Sequence, residues 1–200
     1  MRGTVILFVK APRAGKVKTR LGAEIGMGRA AALFRIMTTH TIGELVKGDW
    51  QTMLAVDPTH ALTGWDNLWP PNLKRVAQGG GDLGARMGRV IDQAPPGPVV
   101  IIGADAPGLR TDHLRQAFQK LGGHDAVFGP AEDGGYWLIG LARRRSAPDL
   151  FHSVRWSTQH ALDDTKASLP KDFSIAELMA MQDIDEANDL AVWGPRSTVL

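Results

Sequence analysis

Short runs of branched apolar residues, each bounded by turn residues, recur along the chain. They predict seven strands: Thr4–Val9, Gln51–Asp57, Leu73–Gln78, Val99–Ile102, Asp125–Gly129, Trp137–Leu141 and Phe173–Ile175. Runs that are apolar throughout, instead of alternating with polar residues, are typical of strands covered on both faces of a parallel sheet. Thr4–Val9 and Val99–Ile102 have this character most clearly, so we expect both near the centre of the sheet.

Segments with helical spacing of apolar residues separate the strands. They predict helices over Gly22–Lys47, over Leu83–Ala94 with Asp82 as N-cap, and from Thr111, as N-cap, to about Gly122. Phe151–Thr165 should begin irregularly and then become a helix capped by Ser157 or Thr158. A terminal helix with Asp185 as N-cap should follow. The alternation predicts an α/β protein, and the absence of repeats or long linkers predicts a single domain over residues 1–200.

Composition narrows the function classes. Lys and Arg number 23 against 21 Asp and Glu, a net charge of +2, so bulk charge excludes a strongly basic nucleic-acid binder. There are no cysteines, which excludes disulfides, thiolate metal sites and a cysteine nucleophile. No apolar run approaches the roughly 20 residues that span a bilayer, and no signal-peptide pattern is visible. We expect a soluble cytoplasmic protein without membrane or nucleic-acid partners. The sequence carries no indication of its oligomeric state.

Val99–Leu109 carries the first candidate for chemistry. The run ends in Gly103-Ala104-Asp105, so it places one carboxylate at the carboxyl end of a buried strand. Ligands of open α/β sheets bind at that edge, and hard divalent cations prefer carboxylate oxygen. Asp105 is therefore a candidate metal ligand. The equally weighted alternative is that it caps the helix near Thr111 or fixes the turn at Pro107.

A basic loop follows the first strand. It contains Lys10, Arg13, Lys16, Lys18 and Arg20, with Pro12 and Gly15, and no acidic residue. Glycine lets backbone approach an anion, while lysine and arginine neutralise its charge. The loop therefore favours phosphate binding over the alternative of a solvated basic turn. It is not a P-loop, because Gly15-Lys16 is followed by Val17 instead of serine or threonine.

Glycines follow the third strand, where Gly79–Gly81 allows a close turn and Arg86 could face a ligand. The alternative is a flexible connection capped by Asp82. Trp65 could stack on a base, although packing at the sheet edge is favoured.

A second loop combines acids with glycines. Glu132, Asp133, Gly134 and Gly135 lie between the fifth and sixth strands. Asp133 could supply a second metal contact or hold a sugar hydroxyl, and the glycines would let a ligand lie against backbone. The alternative is a type I′ or II′ hairpin turn, which favours the same residues. Further along the chain, Trp156, with His152, Arg155 and His160, could line an acceptor pocket.

Together these segments resemble the DUF2064 family, bacterial proteins described as glycosyltransferases of the nucleotide-diphospho-sugar transferase superfamily, some assigned to arsenosugar biosynthesis. The resemblance rests on six segments in order: VKAPRAGKVKTRL, QGGGDLGARM, IGADAPGL, GPAEDGGYWLIGL, VRWST and DIDEANDL. It implies a Rossmann-like three-layer α/β/α sandwich with a mixed, mostly parallel sheet, the GT-A fold. It also implies a nucleotide donor at the first loop and Mg²⁺ or Mn²⁺ at Asp105.

One departure keeps two reactions open. GT-A glycosyltransferases usually carry Asp-x-Asp where this chain has Asp105-Ala106-Pro107. Asp-x-Pro is similar to nucleotidyltransferases of the same superfamily, including phospholactate guanylyltransferases. The first hypothesis is a metal-dependent glycosyltransferase with a nucleotide-diphospho-sugar donor and a small acceptor. The alternatives are a guanylyl- or cytidylyl-type nucleotidyltransferase that releases pyrophosphate, and a catalytically silent nucleotide-binding protein.

The first hypothesis assigns roles to particular residues. Asp105, Asp133 and Glu132 are the catalytic candidates, with Asp105 and Asp133 as metal ligands and Glu132 or Asp133 as the base. The remaining candidates bind phosphate or nucleotide (Lys10, Pro12, Gly15, Lys16, Lys18, Arg20, Arg86) or the sugar or acceptor (Gly134, Gly135, Tyr136, Trp156).

Overall fold

The chain folds around one mixed sheet. The structure is a computed structural model that describes residues 2–65, 67–105, 107–147 and 150–182. Seven strands form the sheet in the order β3-β2-β1-β4-β6-β5-β7. Their bounds are β1 Thr4–Lys10, β2 Gln51–Asp57, β3 Lys74–Ala77, β4 Val99–Gly103, β5 Ala126–Pro130, β6 Tyr136–Leu141 and β7 Ile175–Glu177.

Strand direction confirms a mostly parallel sheet. β1 pairs in parallel with both β2 and β4, β2 with β3, and β5 with β7, whereas β6 is antiparallel to its neighbours β4 and β5. The carboxyl ends of β1 to β4 therefore share one edge of the sheet. This edge is where ligands bind in doubly wound folds.

Helices cover both faces of the sheet. They are α1 Thr19–Ile25, α2 Met27–Leu45, α3 Leu83–Gln93, α4 Thr111–Gly123 and α5 Ala161–Ala167, with a 3₁₀ turn at Thr59–Leu62. One core cluster joins α2 and α4 to alternate residues of β1 and β4, such as Leu7 and Ile102. A second joins α3 to the opposite face, through residues such as Ile6 and Ile101. The fold is therefore the predicted α/β/α sandwich. No helix of the described segments is long and apolar enough to cross a membrane.

Several predicted boundaries are corrected. Residues 22–47 form two helices, because Gly26 takes a φ of 97° that ends α1 before α2 begins. The predicted last strand lies two residues later, at Ile175–Glu177. The predicted terminal helix, with its cap Asp185, lies outside the described residues.

Two predicted helix caps are also wrong, and one is confirmed. α4 has Arg110 as N-cap, while the Thr111 amide and hydroxyl both donate to the Glu44 carboxylate. α5 begins after His160 and not after Ser157 or Thr158. Asp82 caps α3 as predicted, accepting from the Ala85 amide at 2.8 Å.

Candidate functional site

A large cleft, with a volume of about 710 Å³, lies at the carboxyl ends of β1, β3 and β4. Five of the predicted basic residues line it: Lys10, Lys16, Lys18, Arg20 and Arg86. Asp105 lines it as well, at the end of β4. The structure thus brings the basic loop and the strand-end carboxylate into one cavity, and its walls carry more positive than negative charge.

The basic loop (residues 10–20) divides between two environments. Lysines and Arg20 line the large cleft, whereas Pro12, Arg13 and Gly15 are not among its lining residues. Arg13 instead lies over the Trp65 ring, 6.0 Å from its centroid, and Trp65 packs against the core. This supports the packing alternative for Trp65. Gly15 has a φ of 73°, so its contribution is the turn itself.

Lys18 and Asp105 form an ion pair inside the cleft. Lys18 Nζ lies 3.1 Å from Asp105 Oδ1, and the lysine side chain is only 4% exposed. Asp105 Oδ1 is itself buried and accepts no hydrogen bond from the described residues, so the contact is electrostatic without hydrogen-bond geometry. Asp105 does not cap α4, because Arg110 occupies that position. The capping alternative for Asp105 is therefore wrong.

The glycine loop (Gly79–Gly81) forms another wall. Gly79 and Gly81 have φ values of 78° and 94°, so the loop uses backbone conformations that other residues rarely adopt. Arg89 secures it by donating to the carbonyls of Gln78 and Gly80. Arg86 donates to the Gly81 carbonyl at 3.0 Å and faces the cleft, so a fixed loop positions its guanidinium.

A smaller cleft of about 320 Å³ adjoins the large one. The residues that line both clefts are Leu83, Gly103, Asp105, Trp156 and Ser157. Asp133, Gly135 and Tyr136 line the smaller cleft alone. The two cavities meet at Asp105, so molecules bound in each would have their ends close to this carboxylate.

The acidic hairpin loop (residues 131–135) is held by contacts of its own aspartate and glycines. Asp133 Oδ1 accepts from the Gly135 amide at 2.8 Å, and Gly134 has a φ of 84°. A Cβ on Gly134 would lie 2.2 Å from the Gln159 carbonyl oxygen, so this glycine serves packing against neighbouring backbone. The predicted type I′ or II′ turn is wrong, because five residues connect β5 and β6 where such a hairpin has a two-residue loop.

The other candidates on this side occupy distinct positions. Glu132 is exposed and is not among the residues that line either cleft. Tyr136 is partly buried, and burial raises the pKa of its phenol well above the usual range. Its hydroxyl lies 3.4 Å from that of Thr165. Tyr136 therefore stays neutral near pH 7 and contributes shape and a hydroxyl to the smaller cleft.

Trp156 is held between the clefts by its neighbours. Arg155 donates from its backbone amide and its guanidinium to Asp164 of α5, and this contact keeps the pKa of the Asp164 carboxyl well below its usual range. The Trp156 ring packs 6.0 Å from Phe151 and against α3 at Gly84. Neither His152 nor His160 lines the two clefts.

Gln78 and Leu83 are among the lining residues that sequence reasoning missed. Gln78 is 4% exposed, lines the large cleft, and donates from its amide to the carbonyls of Val9 and Ala55. Leu83 lines both clefts although its side chain remains 43% exposed. The signal for Gln78 was its place between a strand and three glycines. No sequence feature indicated that Leu83 lines the clefts, because leucine is common at the start of a helix.

The side chains of the two clefts could bind a metal ion only together with oxygen atoms of a bound substrate. Within the described segments, no three His, Asp or Glu side chains are close enough to hold a metal by themselves. Asp105 nevertheless offers a buried oxygen without a hydrogen bond. Mg²⁺ sites commonly use one or two carboxylates together with substrate phosphates. The residues present therefore fit a divalent ion that is shared with a bound phosphate chain.

Comparison with solved structures finds the same fold elsewhere. A candidate nucleotide-diphospho-sugar transferase from Desulfovibrio desulfuricans G20 is 30% identical, with a TM-score of 0.85 over 96% of this chain and 87% of that one. The inositol-1-phosphate CTP transferase from T. maritima is 12% identical, with a TM-score of 0.63 over 94% and 91% of the two chains. Rv0371c from Mycobacterium tuberculosis H37Rv, in complex with manganese, is 14% identical, with a TM-score of 0.50 over 96% and 97%.

Sequence comparison assigns the family. No curated protein matches the chain. The model of the family described as "Uncharacterized protein conserved in bacteria (DUF2064)" matches residues 42–158, more than half of the chain. The resemblance seen in the sequence is thus confirmed, and the chain belongs to the DUF2064 family.

Proposed function

We propose that this protein is a glycosyltransferase that takes a nucleotide-diphospho-sugar in the large cleft and passes the sugar to a small acceptor in the smaller cleft. The observation that carries this proposal is that the two clefts adjoin at Asp105. A group-transfer enzyme needs two substrates with their reacting ends together, and binding them in adjoining cavities supplies that proximity. The 30% identical D. desulfuricans protein, a candidate nucleotide-diphospho-sugar transferase, supports the same class.

The diphosphate of the donor belongs against the basic wall. Lys16, Arg20 and Arg86 line the large cleft beside Asp105. Guanidinium and ammonium groups neutralise phosphate through charge-assisted hydrogen bonds. As the sugar departs, negative charge grows on the leaving nucleoside diphosphate, and cations already fixed nearby stabilise that charge. The exposed Leu83 offers apolar contact where the sugar ring would pass from one cleft to the other.

Asp105 is the proposed ligand for Mg²⁺ or Mn²⁺, shared with the donor phosphates. A divalent ion at this place supplies Lewis-acid stabilisation of the leaving group. Mn²⁺ is the first ion to test, because Rv0371c, which shares the fold, was solved in complex with manganese. Asp133 lines only the smaller cleft, so it is better placed to serve the acceptor than the diphosphate.

Asp133 is the proposed base that receives the proton of the acceptor hydroxyl. Its carboxylate lines the smaller cleft, and the Gly135 amide fixes one oxygen at 2.8 Å. A fixed carboxylate at the acceptor cavity meets the geometric requirement for a general base better than Glu132, which lines neither cleft. We therefore expect Asp133→Asn to reduce turnover while leaving donor binding nearly unchanged.

Nucleotidyl transfer is the second candidate. Asp105 is the only acid of the Asp105-Ala106-Pro107 segment, as in the superfamily's nucleotidyltransferases that it resembles. The same basic wall would then hold a triphosphate, and pyrophosphate would leave. The two reactions share a binding site but differ in their leaving group, so product analysis separates them.

The test is a calorimetric titration of nucleotide sugars, nucleoside diphosphates and nucleoside triphosphates, each with and without Mn²⁺. The proposal predicts Mn²⁺-dependent binding of a nucleotide sugar or its diphosphate, tighter than that of any triphosphate. Preference for a triphosphate would favour nucleotidyl transfer. If none of the three classes of nucleotide binds to the folded protein, both glycosyl transfer and nucleotidyl transfer are refuted. A catalytically silent protein would then be the remaining hypothesis.

A further inference from the structure

An ammonium group lies beside Asp105, the proposed metal ligand. Lys18 Nζ lies 3.1 Å from Asp105 Oδ1, which is the distance of a close ion pair. The Lys18 side chain is 4% exposed, so this lysine points into the structure and not into solvent. Like charges repel strongly at short distance, so this ammonium disfavours the approach of a metal ion to the same oxygen.

The backbone around Lys18 indicates that its position is enforced. Lys18 has φ 45° and ψ 49°, the left-handed conformation, at the N-cap of α1. A non-glycine residue in this conformation brings its Cβ too close to the following carbonyl oxygen, which is unfavourable. Strained residues persist where the surrounding structure requires them, and they concentrate at ligand sites. Glycine would adopt this conformation without strain. The presence of lysine at this position therefore points to a role for its ammonium group.

We infer that Lys18 is a placeholder cation that blocks divalent metal at Asp105 until a phosphate chain enters the large cleft and takes the ammonium as its own partner. The inference rests on the proposed function, because it requires that phosphate and metal share the site. The arriving phosphate offers Lys18 a doubly charged partner, and Asp105 Oδ1 then becomes available to the metal. Phosphate and metal therefore bind with positive coupling, and the protein without phosphate has a low affinity for metal.

Coupling of this kind has a measurable size. If Lys18 pairs with Asp105 for about nine-tenths of the time, the apparent affinity of metal alone falls about tenfold. Such a factor lies within the usual range for coupling between two ligands. Removing the ammonium should therefore raise the affinity for metal alone about tenfold.

The experiment is titration of folded protein with Mn²⁺ alone, followed by the electron paramagnetic resonance signal of free Mn²⁺. Lys18→Met removes the ammonium and keeps the length of the side chain. Lys18→Gly removes it and also relieves the left-handed backbone, which provides a second variant if the first folds poorly. The matched control is Lys16→Met, which removes one positive charge from the same cleft without touching the Lys18–Asp105 pair.

The expected result is an affinity about tenfold higher in both Lys18 variants, less than a twofold change in Lys16→Met, and loss of the gain when Asp105→Asn is added. Inorganic pyrophosphate should raise the Mn²⁺ affinity of wild type by a larger factor than that of Lys18→Met. Unchanged affinity in both Lys18 variants would overturn the inference. An equal gain in Lys16→Met would also overturn it, in favour of a general field effect.

Failure of the proposed function has a different signature. If wild type and both Lys18 variants bind no Mn²⁺, with or without pyrophosphate, the placeholder inference and the metal assignment are both refuted. If the Lys18 variants gain affinity but no nucleotide binds in the calorimetric titration, the placeholder stands for a phosphate ligand and the nucleotide-sugar assignment fails.

Discussion

Gly134→Ala should destabilise the protein much more than an ordinary glycine substitution. Gly134 has a φ of 84°, and an alanine Cβ there would lie 2.2 Å from the Gln159 carbonyl oxygen and 2.6 Å from its Cα. Both atoms belong to backbone, so no side chain can rotate away. The Leu162 amide also donates to the Gly134 carbonyl at 3.1 Å, which ties the hairpin loop to α5 and limits its movement.

The magnitude follows from two contributions. Alanine in the left-handed conformation costs about 1–2 kcal/mol, and forcing atoms into a packed contact adds about 1–3 kcal/mol. Gly64→Ala is the matched control, because Gly64 has a φ of 80° but no atom within 4 Å of the place where an alanine Cβ would lie. It should show the first cost alone.

The assay is urea denaturation of the two variants and wild type, with midpoints compared at equal slope. For a chain of this size each kcal/mol also corresponds to about 2–4 °C in Tm. Gly134→Ala should be less stable than Gly64→Ala by about 1–3 kcal/mol. Equal loss in the two variants would show that packing against the backbone of the segment before α5 does not require Gly134.

Three further predictions concern the contacts that hold the site. The hydrogen bond from Lys47 lowers the pKa of Glu44 from 4.5 to about 2, so its share of stability is complete above pH 4.5 and lost as the pH falls toward 2. The stability difference between wild type and Glu44→Gln in urea should therefore shrink over that interval, and a constant difference would contradict the linkage. Arg89→Ala should lower the free energy of unfolding by about 1–3 kcal/mol, because the carbonyls of Gln78 and Gly80 lose a charged donor. An unchanged urea midpoint would contradict it. Asp164→Asn should speed amide hydrogen exchange in the segment around Trp156, because Arg155 loses its carboxylate partner. Unchanged protection by mass spectrometry would show that other contacts hold the segment.

Local signals predicted most of the sheet. Six of the seven strands begin and end within one residue of the predicted runs, because β-branched residues bounded by turns determine them locally. The Asp82 cap was also readable, since its acceptor and donor are three residues apart. The basic loop and Asp105 share a cleft as expected, since the carboxyl ends of β1 and β4 meet at one edge.

The errors arise where distant residues decide. Thr111 is a residue type that often caps helices. Its amide and hydroxyl instead donate hydrogen bonds to the carboxylate of Glu44, which is 67 positions away in the sequence. The helical spacing of apolar residues continues through Gly26, so the sequence pattern does not show where α1 ends. The break is made by the backbone of Gly26, which has a φ of 97°. The ion pair between Lys18 and Asp105 joins residues on two separate segments, and no spacing rule predicts it.

The proposed metal and donor site is tested most simply by calorimetric titration of the best-binding nucleotide, with and without Mn²⁺, into wild type and Asp105→Asn. Asp105 stands where the two clefts meet, so it should connect phosphate binding to the metal. We expect Mn²⁺ to strengthen nucleotide binding in wild type and to have no such effect in Asp105→Asn, with circular dichroism showing that the variant is folded. Equal Mn²⁺ dependence in the two proteins would refute the assignment of Asp105, because the metal would then bind elsewhere.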